Sequence, residues 1–428
     1  MNQLLNRFYF VIAMLLVYRF GTYVPLPGVD PSLLTDVVKQ NEGSVLGMLN
    51  MLTGGALGRL SIFALNIMPY ITASIVMQLL SVLIKDIAVL KKEGGKQKLN
   101  QYVRYLTIVL ALFQGYGIAV GAESFVVGGV PVVSSPGLVF RFVAAINLAG
   151  GTLFVMWLTE QISARGVGNG SSLVIFSGIV AGLPSAVASL FSMGKSGAVS
   201  TVFVLFVIFM TFLLLGFIVF MEKAQRKILV TYPKRQVGRK VFAEDSTHFP
   251  IKVNTSGVVG PLFASSLLLF PTTILGFMES SSGATTSWKY QLMAHLGHGK
   301  PLYILLYAIL IVFFNFFYTS IVFNVEETTE NLRRAKAVLK GIRPGANTAD
   351  YMNYVLTRVT AIGAVYVVII CVVPEIFIAQ YSIPFYLGGT SLLIVVNVVM
   401  DLFQQTQMYL LSSQYGSLIK NNILLNRR

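Results

Sequence analysis

The chain has 428 residues, is 55% hydrophobic and only 11% charged, and carries a formal net charge of +15; its mean hydropathy is +0.73. A soluble globular chain has about a quarter of its residues charged, so this composition excludes one and requires lipid as part of the solvent. The single cysteine, Cys371, lies in an apolar run, which excludes a disulfide framework and a thiolate metal cluster.

A helix needs about 20 mainly apolar residues to cross the hydrocarbon core of a bilayer. Ten stretches are read as spans, near residues 8–24, 67–83, 104–122, 138–158, 171–190, 201–220, 258–277, 301–323, 358–377 and 383–403. Glycine or polar residues interrupt the fourth, fifth and tenth. Each span must satisfy its own backbone polar groups, so helices are expected, and the runs are too long and uniform for the alternation of a β-barrel. No small-residue cleavage site follows the first span, which is therefore expected to be a retained anchor.

Between the first two spans runs SVLGMLNMLTGGALGRLSIFALNIMPYITASIVMQLL, Ser44–Leu80. Its first part, Ser44–Arg59, is amphipathic and would reach about 24 Å as a helix, too short to cross. Gly54 and Gly55 break it before the full span begins. Such a half-helix either sits at membrane depth, covered by protein or lining a water-filled cavity, or rests on the outer surface.

Lys and Arg set the orientation. With the N-terminus inside, 25 basic residues fall on the inner side and six on the outer, with Arg19 within the first span. Both termini are then cytoplasmic. The sharpest concentration is KAQRKILVTYPKRQVGRK, Lys223–Lys240, which has seven basic residues and no acidic one. A second basic inner loop carries KGIRPGANTADY. Either these loops act only as topology signals, with some attraction to anionic lipid, or their Pro–Gly turns present a docking surface for something acidic or large.

The charges near the spans, Arg19, Arg141, Glu160, Glu375 and Asp401, fall close to their ends, where snorkelling accounts for them. Within the spans the polar residues are neutral: Thr72, Gln78, Gln114, Asn147, Ser265, Ser266, Asn315 and Asn397. These are expected to join helices. No nucleotide phosphate loop, H-E-x-x-H or G-x-S-x-G occurs, and the glycine-rich RGVGNGSSL joins two spans, which disfavours phosphate binding.

Several stretches together resemble the SecY family, the protein-conducting channels of the bacterial Sec translocon. They are PLPGVD (Pro25–Asp30), TGGALGRLSIFALNIMPYITASI (Thr53–Ile75), RGVGNGSSLVIFSGIVAGLP (Arg165–Pro184), STHFPIKVN (Ser246–Asn254), GIRPG (Gly341–Gly345) and PFYLGGTSLLIVV (Pro384–Val396). The resemblance covers nearly the whole chain in matching order. It implies an all-α polytopic membrane protein, a clamshell of two pseudo-symmetric five-helix halves, residues 1–190 and 191–428. Cytoplasmic loops at 221–257 and 324–357 and a tail at 404–428 belong to the second half. The interrupted segment becomes the plug, about 44–59, with Ser44, Asn50, Gly54, Gly55 and Arg59. The resemblance implies a pore ring of Ile67, Ile71, Ile175, Leu262 and Ile394, whose bulky aliphatic side chains would exclude water and ions yet yield to a peptide. It implies a lateral gate of spans two, three, seven and eight, with Thr72, Gln114 and Ser266 as its polar residues, weak enough to part for a signal sequence.

The implied function is passage of unfolded secretory chains across the bacterial plasma membrane and lateral release of helices into it, with no enzyme activity and no cofactor of its own. The implied partners are SecE and SecG-like small subunits, the ATPase SecA, the ribosome with its RNA, signal sequences, nascent polypeptides and lipids. SecA and the ribosome would dock around Arg239, Lys240 and Arg343. Two features depart from the family's pattern: Asn66 where glycine is common, and Leu262 where isoleucine is common. The competing reading is a secondary solute transporter with a broken helix, which predicts a charged midplane site that the sequence lacks. A third is a scaffold that anchors ribosomes without conducting.

Overall fold

The computed structural model describes residues 2–31, 34, 50, 53–84, 95–123, 126–127, 130–197, 200–232, 235–237, 240–242, 245–268, 300–381 and 388–425. The first half of the chain gives α1 (Asn2–Gly21), α2 (Met68–Leu83), α3 (Gly95–Glu123), α4 (Leu138–Arg165) and α5 (Gly170–Lys195). The second gives α6 (Thr201–Lys223), α7 (Val259–Leu268), α8 (Pro301–Val322), α9 (Val325–Arg334), α10 (Ala346–Tyr381) and α11 (Gly389–Leu425). Among the described residues seven helices are long and apolar enough to cross a membrane. The expected second span is the shorter α2. The seventh is described only to Leu268, and the tenth opens α11, which continues into polar sequence.

Local chemistry marks the helix starts. Pro69 and Pro301 occupy first turns, where a missing N–H costs nothing. Ser200, Asn169 and Asn324 place side-chain oxygens on the free N–H groups of Phe203, Ser171 and Glu327. Two helices start well ahead of their apolar runs. α10 begins at Ala346 because Met352, Val355, Leu356 and Val359 form a buried face at helical spacing, packed on a small sheet outside the spans.

That sheet is absent from the sequence reading. β3 (Gln225–Tyr232) pairs antiparallel with β6 (Asp245–Lys252) and, on its other edge, with β7 (Val338–Leu339). The order is β6–β3–β7, so the loops after α6 and α8 are one structure. Thr231 Oγ1 also donates to Val338 O at 3.2 Å. The hairpin tip carries β4 (Arg235–Val237) on β5 (Lys240–Phe242), and a second short hairpin, β1 (Val126–Val127) and β2 (Val130–Pro131), follows α3.

The main core draws on both halves of the chain, with Ile67, Ile71, Val155, Leu173 and Ile179 beside Ile218, Phe263, Ile311, Phe314, Ile370 and Ile394. A second core joins α3 to α4 through Ala111, Ala119, Ala122, Ala144 and Ala149, small side chains that let two backbones approach. Ion pairs lie toward both ends of this pair of helices: Arg104 Nη2 is 2.8 Å from Glu160 Oε2, and Arg141 Nη2 is 2.7 Å from Glu123 Oε2. Arg141 and Glu160 therefore each pair with a residue of α3, where sequence suggested snorkelling.

Neighbouring glycines in α4 test this packing. A Cβ at Gly151 would fall 1.9 Å from the Ile62 carbonyl oxygen, whereas one at Gly150 would meet nothing within 4 Å. Gly151→Ala should lower the thermal transition of the purified protein by about 5 °C or more through overpacking. Gly150→Ala should match or exceed the native value, because alanine is the better helix former.

Candidate functional site

The chain from Thr53 to Ile67 is mostly buried and not helical, so its backbone needs partners. It finds them in the turn after α1 and within itself. Leu26 N donates to Leu60 O at 2.9 Å, Ile62 N to Val24 O at 3.0 Å, and Ser61 N to Ala56 O at 2.9 Å. Gly54 and Gly55 have φ of +67° and +84°, values that disfavour any residue with a Cβ. A Cβ at Gly54 would also sit 2.9 Å from Gly178 Cα on α5. Asn50 caps this turn: its Oδ1 accepts from Gly58 N at 2.6 Å and its carbonyl from Gly55 N at 2.8 Å.

An arginine pair holds the same stretch. Arg19 Nη1 donates to Gly54 O at 2.6 Å and Nη2 to Tyr23 Oη at 3.0 Å. The Arg59 guanidinium lies 4.1 Å and that of Arg19 5.0 Å from the Tyr23 ring centroid. The ring's negative face lets two cations share one site. Sequence reasoning gave Arg19 no such role, and its position two residues before the end of α1 carries no signal of it. Ser44 lies outside the described residues, as do 45–49, 51 and 52.

The five aliphatic candidates come from four helices and their approaches. Ile67 caps α2, Ile71 lies one turn further on, Ile175 is on α5, Leu262 on α7 and Ile394 on α11. Ile67, Ile71, Ile175 and Ile394 are buried in the main core, and Leu262, partly buried, packs against it. Glycines bring their helices in. A Cβ at Gly170 would fall 2.0 Å from Thr159 O, and one at Gly389 1.6 Å from Ile370 O. The glycine-rich RGVGNGSSL is thus a close turn, with Gly168 at φ +95°, rather than a phosphate cradle.

The three polar candidates are spread over α2, α3 and α7. Thr72 Oγ1 donates to Met68 O at 3.1 Å within its own helix. Gln114 is partly buried on α3. Ser266 Oγ is buried on α7 and has no hydrogen-bond partner among the described residues. The structure does not join the three by hydrogen bonds. Of the basic candidates, Arg343 is exposed in a turn flanked by Gly341 and Gly345, at φ +83° and +114°, and Thr348 Oγ1 donates to its carbonyl at 3.0 Å. Lys240 opens β5, opposite Val237, and Arg239 lies outside the described residues.

Comparison with known proteins places this arrangement. The family model SecY matches residues 61–403. The protein translocase subunit SecY of Rickettsia typhi is 54% identical over 427 residues, covering 99% of this chain and 98% of the relative. That of Escherichia coli K12 is 48% identical over 422 residues, covering 98% and 95%. The chain belongs to the SecY family. Among solved structures, one described as "The structure of a protein conducting channel" superposes with TM-score 0.66 at 15% identity, covering 93% of this chain and 91% of the other. Canine Sec61 from a ribosome–channel complex gives 0.64 at 16%, covering 93% and 91%. These show the shared fold. Asn66, beside Ile67, has φ +50°, a left-handed value that asparagine tolerates better than other residues with a Cβ.

Removing the Arg19 contacts should loosen the Thr53–Arg59 turn without unfolding the helices. In Arg19→Met, amide exchange at Gly55 and Gly58 should quicken about tenfold, from loss of a charge-assisted hydrogen bond and a cation–π contact. Exchange in α4 should stay unchanged, measured by mass spectrometry on the same sample.

Proposed function

We propose that this chain is the pore subunit of a protein translocase of the bacterial plasma membrane, passing unfolded secretory polypeptides across and releasing membrane helices sideways into lipid. The observation that carries it is the convergence of Ile67, Ile71, Ile175, Leu262 and Ile394 from four helices into one apolar core, in a chain of the SecY family over its whole length. A collar of branched aliphatic side chains cannot hydrate an ion, so it holds the resting barrier, and its rotamers yield to a chain pushed through. The Thr53–Arg59 turn, with the stretch preceding it from about 44, is the plug. Thr72, Gln114 and Ser266 line the gate: Thr72 bonds only its own helix and Ser266 bonds nothing described, so parting them breaks little.

The sheet supports a docking role for the basic loops. Because β7 completes the sheet begun by β3, the chain leading to the Arg343 turn is joined to the β3–β6 hairpin on one platform backed by Ile228, Val230, Ile251, Leu339 and Met352. That platform gives the Arg343 turn a braced base, which topology alone does not require. The proposed partners are the ribosome and its RNA, an ATPase of the SecA type that supplies the energy, and small SecE- and SecG-like subunits. Signal sequences, nascent chains and lipids complete the set. In this reading both termini are cytoplasmic, as the excess of Lys and Arg in the inner loops implies. Relatives support the ribosome: canine Sec61 and the yeast Ssh1 complex are described as ribosome-bound. The family assignment sets aside the solute-transporter reading.

The test is reconstitution. Vesicles holding the chain with its small subunits should import an unfolded presecretory protein when given SecA and ATP, and show no counterflow of small solutes. In planar bilayers, Ile71→Asn with Ile394→Asn should raise resting ion conductance at least tenfold by hydrating the collar; unchanged resting conductance removes these residues from the seal.

A further inference from the structure

Glu222, Asn254, Ser256 and Asn315 are buried together where α6, α7 and α8 meet, and neither the collar nor the docking platform uses them. Asn254 spends its whole amide here. Its Nδ2 donates to Glu222 Oε1 at 2.6 Å and to Gly257 O at 3.2 Å. Its Oδ1 accepts from Ser256 Oγ at 3.1 Å and Gly257 N at 3.1 Å. That fills both donors and both lone pairs. Ser256 Oγ also approaches the side-chain oxygen of Asn315 on α8, so its single proton is shared between the two amide oxygens and links the turn to α8. The backbone is held as well: Val253 N donates to Ala224 O at 3.1 Å, and a Cβ at Gly363 on α10 would fall 2.4 Å from Val253 O. Gly257, at φ +56°, turns the chain into α7.

Beyond this turn the attachment of α7 changes in kind. Phe263 packs edge-on to Phe314 and Tyr318, with ring centroids 5.7 and 6.2 Å away. Ser265 Oγ donates to Leu262 O in its own helix, at 3.0 Å, and Ser266 Oγ has no partner among the described residues. Apolar contacts can slide at small cost, whereas separating the Asn254 network strands a carboxylate and two amides in a buried site. The approach to the helix is therefore fixed by directional bonds, and Phe263, Ser265 and Ser266 beyond it by contacts that permit motion.

We propose that residues 254–257 are the fixed pivot of the gate helix α7, tying its first turn to α6 and α8 so that the gate opens by rotation about this point. The pivot rests on the channel reading given above. Glu222, Asn254 and Ser256 are positioning residues: they touch no cargo and set how firmly the closed gate is held. Weakening the pivot frees α7 to part from α2 without the binding energy that a signal sequence normally supplies, so the channel should lose discrimination rather than throughput.

The experiment uses the intact complex in vesicles with SecA and ATP and compares import of a presecretory protein carrying an intact signal with import of one whose signal core is interrupted by a charge. Asn254→Ala and Glu222→Ala should raise import of the defective cargo about tenfold, the loss expected for one hydrogen bond to a charged group. Import of the intact cargo should stay near native. Ser256→Ala, which removes only a hydroxyl, should give a smaller rise in the same direction and keeps the test open if the other variants fold poorly. Glu222→Gln retains an oxygen acceptor for Asn254 and should restore native discrimination. Native discrimination in all three alanine variants at native abundance overturns the pivot, as does a Glu222→Gln channel as permissive as Glu222→Ala. A cysteine pair at Thr72 and Ser266 separates the two levels: if crosslinking it leaves import intact, the gate reading itself fails; if it blocks import while the variants discriminate normally, only the pivot fails.

Discussion

Hydrocarbon offers no hydrogen bond, so a backbone that leaves the helix at membrane depth must be answered by other protein atoms. The stretch from Thr53 to Ile67 does leave the helix, and the first half of the molecule is arranged around it. The turn after α1 supplies Leu26 and Val24 to its backbone. α4 and α5 give up side chains at Gly151 and Gly178 to let it in. Arg19 crosses from α1 to hold its carbonyl. A segment accommodated in this way is covered while it stays, and the long-range hold on its early part is by side chains of α1, at Thr53 and Gly54, rather than by a backbone ladder.

The same economy separates what is fixed from what can move. Directional bonds gather at the ends of elements: the ion pairs that tie α3 to α4, the Asn254 network under α7, and the strand pairing that binds the two basic loops. Between the ends, the meeting surfaces of the halves are aliphatic and aromatic. Arg7 illustrates the pattern on a third side, where Nη1 donates to Tyr409 Oη at 2.8 Å and Gly168 N donates to Gln405 Oε1 at 2.8 Å, joining the α4–α5 turn to α11. An interior closed by apolar contact and braced at its rims suits a channel that must seal against ions and still admit chains of any sequence.

Much of this was legible in the sequence, for a physical reason. Lipid imposes one length and one composition on every span, so α4, α5, α6 and α8 begin within a residue of the apolar runs that announced them. Gly54 and Gly55 were legible as a break because a positive φ leaves few alternatives. What escaped depends on partners distant in the chain. β3 finds β7 across more than a hundred residues, as the Thr231–Val338 bond shows, and no local pattern announces a two-residue strand. Glu160 looked like an interfacial charge until Arg104 stood beside it. The residues proposed for the collar are a harder case. Ile67 and Ile179 are equally buried in one core, so packing alone gives no reason to assign the pore to one and not the other.

That distinction belongs to the moving chain, and it can be read directly. A secretory polypeptide stalled on the ribosome, carrying one photoreactive residue at the depth of the bilayer centre, should crosslink to Ile67, Ile71, Ile175, Leu262 and Ile394 and to neither Ile179 nor the exposed Phe209 on α6. Crosslinks spread evenly over buried and exposed positions, or confined to Phe209 and its neighbours, would contradict an aliphatic collar through which the polypeptide passes.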